Sequence, residues 1–217
     1  MNVILISQYF CPESGATQNR MRSFVEAFVR RGHSITVVTE FPNHPHGVIR
    51  EEYRRGWIRR EKFGNADIIR VFVLASPRKT FASRMAFYLS FLVMGTIAGN
   101  LIRERPDLVL ATSPPLFSGL AGAWLARMRK ARFVLDVRDL WPAVVVELDH
   151  LRSRQGIKAA EALERYLYRS ADLVTATTES FCRQIAVSSE GADPLHVPNG
   201  TEPDLFSPER ADDNSFC

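Results

Sequence analysis

Short apolar runs alternate with longer segments of helical periodicity along most of the chain. The first helical face is formed by Met21, Phe24, Val25 and Phe28. This helix is predicted to end at Gly32, which follows two arginines and suits a left-handed C-terminal cap. Strands are predicted at residues 3–6, 35–39, 68–74, 108–110, 133–135, 173–176 and 195–197. Further helices are predicted from about residue 81, over 116–128, around 159–167 and up to about 187.

The alternation of strands and helices predicts the fold class. Strands that are apolar almost throughout are buried on both faces, and the helices between them form right-handed crossovers. The chain is therefore predicted to be an α/β protein with a doubly wound parallel sheet. In such sheets ligands bind outside the carboxyl ends of the strands, so functional residues are expected in the loops that follow the strands.

Composition shows a globular protein whose charge is unevenly distributed. The 217 residues are 46% hydrophobic and 24% charged, which excludes a disordered or fibrous protein. Residues 1–110 hold 16 of the 28 basic and 9 of the 24 acidic side chains, so the first half carries the positive charge. Cys11, Cys182 and Cys217 fit neither a disulfide framework nor a metal site, which favours a reducing cytosol.

Two loops near the N-terminus contain candidate ligand-binding residues. Ser14 and Gly15 precede the first helix, where backbone N–H groups and the helix dipole favour a phosphate, although a simple turn is an alternative. His44 and His46 could bind a metal, but no third ligand lies nearby, and a loop at the rim of a pocket is the favoured interpretation. No metal and no cofactor is predicted.

Two segments indicate contact with a charged or apolar partner. The basic residues of the first segment, interleaved with aromatic ones, are Arg50, Arg54, Arg55, Arg59, Arg60 and Lys62. A membrane surface, a phosphate and a solvated face are all possible, whereas nucleic acid is disfavoured because no nucleic-acid motif is present. Met85 to Ile102 is uncharged and bracketed by basic residues. Because it must connect two strands, we expect it to be a buried helix or to touch the membrane peripherally rather than span it.

Two later loops follow core strands. Ser113 precedes two prolines that must end a strand, because proline cannot donate in a ladder, and this turn is expected to shape the floor of a pocket. The loop Asp136 to Trp141 places Arg138, Asp139 and an indole after a buried strand. Buried charges must be paired, so this group is either a structural Arg–Asp clasp or a reaction centre, and its position favours function.

These loops, in this order, resemble the N-terminal domain of glycosyltransferase family 4, in particular bacterial O-antigen and capsule enzymes such as N-acetyl-fucosaminyl transferases. The resemblance covers residues 1 to about 206. The matching segments are residues 8–16, 31–37, 41–43, 111–116, 137–142 and 198–200. It implies the N-terminal half of a GT-B fold, a Rossmann-like domain that receives the acceptor while a second domain binds a nucleotide sugar. It also implies transfer with retention of configuration and no required metal.

The resemblance implies a role for each site residue. Ser14 and Gly15 would meet the donor diphosphate, and Arg138 would pair with phosphate. Asp139 would hold the acceptor hydroxyl or stabilise positive charge on the sugar, since an oxocarbenium-like transition state favours a carboxylate. The remaining expected roles are the acceptor cleft for Asn43, His44, Ser113 and Trp141, and the interdomain hinge for Asn199 and Gly200.

The expected donor-binding half is not found in the sequence. In the family, two glutamates with seven residues between them hold the donor, and no such pair occurs in this chain. The prediction is therefore a domain over residues 1–206, with a tail or interdomain linker over 207–217, that is inactive without a donor-binding domain. It would bind a lipid-linked sugar at the cytoplasmic face of the inner membrane. A non-catalytic module for lipid-linked sugars and half of a GT-B nucleotide-sugar epimerase are the alternatives.

Overall fold

The computed structural model describes residues 1–78, 80–141, 154–189 and 192–200. The strands in these ranges are β1 (Asn2–Ile6), β2 (Ser34–Glu40), β3 (Ile58–Phe63), β4 (Ala66–Val71), β5 (Leu108–Ser113), β6 (Arg132–Val137), β7 (Leu173–Ala176) and β8 (Leu195–His196). The α-helices are α1 (Ala16–Arg30), α2 (Phe81–Asn100), α3 (Leu116–Arg129), α4 (Arg154–Ser170) and α5 (Glu179–Ser188). A short 3-10 helix spans Glu51–Tyr53. The predicted interdomain tail, 207–217, lies outside the described residues.

The strands form one sheet in the order β3-β4-β2-β1-β5-β6-β7-β8. Every neighbouring pair is parallel except β3 and β4, which form an antiparallel hairpin. The chain runs outward from β1 to β2 and β4 and then crosses back to β5 on the other side of β1. The loops after β1 and β5 therefore meet at the switch point, where ligands bind in such sheets. The predicted α/β class and parallel sheet are confirmed.

Helices cover both faces of the sheet, each over a separate core. Successive residues of a strand point to opposite faces, so Val3 and Leu5 of β1 belong to one core and Ile4 and Ile6 to the other. Helix α1 contributes Met21 and Val25 to the first core. The second core is closed by Phe91 of α2, Leu125 of α3 and Leu167 of α4.

Small residues let the helices of the second core approach closely. A Cβ atom on Gly122 of α3 would lie 2.4 Å from the Cβ of Ala111 in β5, so only glycine fits there. Likewise, a Cβ on Gly99 of α2 would lie 2.6 Å from a methyl carbon of Leu125. The glycines inside the apolar helices thus let α2, α3 and the sheet pack closely against one another.

The structure corrects two details of the sequence prediction. Strand β4 ends at Val71, although the apolar run predicts a strand to Leu74. Strand β3 was missed because it falls in the basic segment and is largely exposed. Lys62 pairs with Asp67 across the hairpin at 2.8 Å, and Arg59 pairs with Glu61 at 3.2 Å. Charged side chains on an edge strand discourage pairing with other chains, which is a structural role for part of this basic segment.

Candidate functional site

The loops after β1, β2, β4, β5 and β6 lie at the carboxyl edge of the sheet, as predicted. Arg138, the first residue after β6, connects three of the surrounding elements. Its backbone N–H donates to the Ser113 carbonyl at 2.8 Å, and its Nε donates to Thr112 Oγ1 at 2.8 Å. Its two terminal nitrogens donate to Thr17 Oγ1 and to the Pro114 carbonyl. The guanidinium is therefore fixed between the end of β5 and the first turn of α1.

The charge on Arg138 lies in a partly desolvated position. Burial lowers the pKa of Arg138, while the Asp139 and Asp136 carboxylates act in the opposite direction. An arginine remains protonated even when its pKa is lowered, so a fixed cation faces the switch point. Asp139 is exposed next to it, and Ser113 is buried beneath it.

Ser14 and Gly15 stand at the open N-terminus of α1. Both are exposed, and Gly15 is the N-cap residue, with no side chain capping the first turn. The first turn also contains no acidic residue, so no carboxylate within this turn neutralises the partial positive charge of its backbone N–H groups. Because Arg138 bonds to Thr17 in this same turn, the structure brings Gly15 and Arg138 together at one site.

The structural clasp that the sequence placed among Asp136, Arg138 and Asp139 is formed by other partners. Asp136 is fully buried and pairs with Arg20 of α1, with Nη2–Oδ1 at 2.8 Å and Nε–Oδ2 at 3.0 Å. Thr175 Oγ1 also donates to Asp136 at 2.7 Å. Sequence reasoning missed Arg20. The available signal was its position directly before Met21, the first apolar residue on the buried side of α1.

Arg20 also holds the predicted hinge. Its Nη1 donates to Asn199 Oδ1 and to the Pro198 carbonyl, both at 3.1 Å, and its Nη2 donates to the Val197 carbonyl at 2.8 Å. Asn199 is thereby attached to α1 and, through Arg20, to Asp136 at the end of β6. Gly200 is exposed and is the last described residue.

Asn43 is positioned by two glutamates that sequence reasoning did not select. Glu13 accepts the backbone N–H groups of Asn43 and His44, both at 2.6 Å. Asn43 Nδ2 donates to Glu40 Oε1 at 2.7 Å. Burial raises the pKa of Glu40 well above its ordinary value, and the nearby Glu13 raises it further. Glutamates thus fix the loop after β2 against the loop after β1.

Asn43 and His44 line a cavity of about 290 Å³ between the loop after β2 and the start of α2. Its other walls include Tyr9 and Tyr88. Trp141 lies elsewhere, half-buried against the core under α2 and α3, so the structure does not bring all four predicted cleft residues into one cavity. Within the described ranges, no three His, Cys, Asp or Glu side chains gather in a metal-binding arrangement.

Among the helices that the structure describes, α2 is long and apolar enough to cross a membrane by length and composition, with 22% of its most apolar window buried. Its inner side packs against the sheet and α3. Its outer side exposes Leu89, Val93, Ile97 and Leu101, and the neighbouring α3 exposes Trp124 and Met128. We call these six residues the apolar face. They are exposed apolar side chains on α2, on the residue after it and on α3, two helices that pack together within the domain.

Comparison with known proteins agrees with this geometry. The family profile described as "Glycosyl transferase 4-like domain" matches residues 15–200. The chain is 24% identical over 207 residues to a protein named putative colanic acid biosynthesis glycosyl transferase WcaI from Escherichia coli (strain K12), covering 93% of this chain and 51% of that protein. The chain thus spans about half the length of this relative.

Solved structures of a sucrose-phosphate synthase from Thermosynechococcus elongatus share the fold. One matches 98% of this chain and 52% of its own length, with a TM-score of 0.62 and 19% identity. A second matches 94% of this chain and 92% of its own length, with a TM-score of 0.54 and 16% identity. The Rossmann-like sheet corresponds to one half of the GT-B synthase, as expected. With most of its length matched by the family profile, the chain belongs to the glycosyl transferase 4-like domain family.

Proposed function

We propose that this domain binds the acceptor in a retaining glycosyltransferase that uses a nucleotide sugar and acts in cell-surface polysaccharide synthesis. The observation that carries the proposal is the position of Arg138 between the end of β5 and the open first turn of α1. A fixed guanidinium beside free helix N–H groups suits the leaving diphosphate of a nucleotide sugar. The relative named for colanic acid biosynthesis supports the polysaccharide context.

Within this proposal, Asp139 acts on the sugar side of the reaction. It is exposed next to Arg138, so its carboxylate can reach an acceptor hydroxyl or the positive charge that develops on the transferred sugar. The donor's nucleotide would be bound mainly by a second domain, because no two glutamates of the sequence have the spacing expected of the donor site, with seven residues between them. Asn199 and Gly200 would form the connection to that domain.

The proposal also includes a lipid-linked acceptor and peripheral binding at the cytoplasmic membrane face. The apolar face exposes six large side chains, of which Trp124 is of the type enriched at membrane interfaces. Two basic residues, Arg103 and Arg105, follow the end of α2 beside it. A soluble sugar acceptor would need no such surface, and for this reason half of a nucleotide-sugar epimerase is the weaker alternative.

The decisive experiment measures sugar transfer. The purified chain is incubated with radiolabelled nucleotide sugars and a lipid extract of the inner membrane, with and without a matching donor-binding domain. We expect label in the lipid fraction only when both domains are present. Product from the chain alone would contradict the need for a donor-binding domain. Binding of lipid-linked sugar with no transfer under any combination would favour the non-catalytic module.

A further inference from the structure

The cavity between the loop after β2 and the start of α2 has the properties of an anion site. Arg78 and Arg84 line it, together with His44 and Ser83. Among the described residues, neither guanidinium forms an ion pair, whereas Arg54, Arg59 and Arg70 near the sheet edge β3–β4 have acidic partners. Two unpaired cations therefore face one small space of about 290 Å³.

The surroundings of this cavity make its electrostatic potential more positive. It lies at the N-terminus of the 20-residue helix α2, whose dipole places partial positive charge there. Thr80 Oγ1 caps this helix by accepting from the Ser83 N–H, which orders the turn that carries Arg78 and Arg84. Two buried acids lie behind the loop after β2. Glu13 is neutralised in part by the backbone N–H groups of Asn43 and His44, and burial raises the pKa of Glu40, so both oppose an anion less than exposed glutamates would.

The apolar face starts five residues after Arg84 on α2. Leu89, Val93, Ile97 and Leu101 follow at steps of four residues, and each is at least 43% exposed. At a rise of about 1.5 Å per residue, this row is about 18 Å long. A cationic cavity at one end of an exposed apolar row complements a molecule with an anionic head and an apolar chain.

Tyr9 connects the cavity to the proposed reaction site. It lines the cavity together with Tyr88, and burial raises its pKa well above the ordinary value. Its position also places it close enough to Arg138 for an electrostatic interaction. A group bound at the head of the cavity therefore lies on the side from which an attached sugar can reach Arg138 and Asp139.

We propose that Arg78 and Arg84 bind the diphosphate of a lipid-linked acceptor in this cavity, with its lipid chain against the apolar face. This inference rests on the proposed acceptor function. The cavity volume is at the lower edge of the roughly 300–1,000 Å³ typical of small-molecule sites, which suits a diphosphate rather than an oligosaccharide. Two charge-assisted contacts from arginine supply the recognition of phosphate.

The test is a binding measurement on the 217-residue chain with farnesyl diphosphate as the probe. Isothermal titration compares the wild type, the double variant Arg78→Gln/Arg84→Gln, and the control Arg30→Gln/Arg31→Gln. The control removes the same charge at the C-terminal end of α1, which lies away from the carboxyl ends of the strands. We expect the double variant to bind about tenfold more weakly or worse, and the control to stay within about twofold. Circular dichroism and thermal unfolding verify that all three chains are folded.

Two further arms identify the source of the phosphate. Inorganic pyrophosphate should bind more weakly than farnesyl diphosphate and show the same dependence on Arg78 and Arg84. Vesicles of phosphatidylglycerol should bind the double variant nearly as well as the wild type. Equal losses in the double variant and the control would overturn the site, as would a loss confined to vesicle binding. The titration contains no nucleotide sugar, so it tests only the diphosphate site. If binding of farnesyl diphosphate depends on Arg78 and Arg84 but the two-domain assay shows no sugar transfer, the proposed function is contradicted and the diphosphate site is not.

Discussion

Arg20 of α1 and Asp136 of β6 form a buried, two-point ion pair, with side chains that are 5% and 0% exposed. The pair joins residues 116 positions apart and also holds Val197 and Asn199 against α1. It therefore ties Val197 and Asn199 to the elements that carry Gly15 and Arg138. This relationship makes the clasp a structural unit that is separate from the exposed Asp139.

Replacing Arg20 by alanine is expected to destabilise the domain strongly. The substitution leaves the Asp136 carboxylate buried without its cation, a change that costs about 3–5 kcal/mol of unfolding free energy. Arg183→Ala is the matched control, because Arg183 meets Glu179 on the surface at 3.8 Å, where an ion pair contributes less than about 1 kcal/mol. Urea unfolding of both variants measures the difference. Similar losses for the two would contradict the importance of the buried pair.

Two glycine substitutions are expected to have opposite effects on stability. Gly122→Ala forces a methyl group to 2.4 Å from Ala111, and overpacking of this kind costs about 1–3 kcal/mol. Gly95→Ala places its methyl group at 3.6 Å or more from Phe91, an ordinary contact, and removes a flexible residue from a helix. It is expected to stabilise by about 0.5–1 kcal/mol. Thermal unfolding measures the stability change of each variant. If Gly122→Ala were more stable than the wild type, the close contact between α3 and β5 would be contradicted.

Asp139→Asn is expected to lower sugar transfer about a hundredfold or more without destabilising the domain. The side chain is exposed, so its replacement costs the fold little, while an amide cannot take a proton or balance developing positive charge. Initial rates in the two-domain transfer assay measure the first effect, and thermal unfolding measures the second. A wild-type rate would remove Asp139 from the reaction. A large loss of stability would instead give it a structural role.

Glu164 on α4 gives the domain a testable pH dependence. The pKa of Glu164 is raised to about 6, mainly by burial and to a lesser extent by neighbouring Glu161, although the Tyr168 hydroxyl, which donates to it at 2.7 Å, acts in the opposite direction. The folded pKa lies above the unfolded value, so the protonated form is favoured by folding and stability falls as pH rises from about 4.5 to 6. Because the group is partly exposed, the loss is expected to be about 1 kcal/mol after screening.

Glu164→Gln isolates this effect from the other carboxylates. The variant keeps the acceptor for Tyr168 but cannot ionise, so its unfolding free energy should exceed that of the wild type above pH 7. The difference should shrink towards pH 4.5. Urea unfolding across this pH range measures the difference curve. A difference that is constant with pH would contradict the raised pKa.

Val93→Gln/Ile97→Gln is expected to weaken binding to phosphatidylglycerol vesicles about tenfold or more. The two side chains are 55% and 46% exposed at the middle of the apolar face, so their insertion into lipid would be lost with little cost to the fold. Val187→Gln is the matched control, because Val187 is 87% exposed on α5, away from α2. Vesicle sedimentation compares the three chains, and unchanged binding of the double variant would refute the membrane surface.

The sequence by itself determined the parallel α/β sheet and the order of its elements. Apolar runs and helical spacing are local properties, and Gly32 adopts the left-handed conformation predicted after α1, with φ of 76°. The position of the functional loops also followed from the sequence, because parallel strands all end at the same edge of the sheet. Strand β3 was missed since its charged residues carry no apolar pattern, although Gly64 and Asn65 between two runs were a hairpin signal.

Only the tertiary structure decided which charged groups are partners. Arg20 meets Asp136, and Glu13 meets the backbone of Asn43, across 116 and 30 positions of sequence. Such pairs depend on how crossovers bring distant loops together, and a buried charge requires a partner without specifying which one. The same folding places Arg78 and Arg84 beside Tyr9, while leaving Trp141 in another part of the domain. The local sequence pattern determined the sheet and its helices. Packing between distant segments determined which charged groups meet at the carboxyl ends of the strands.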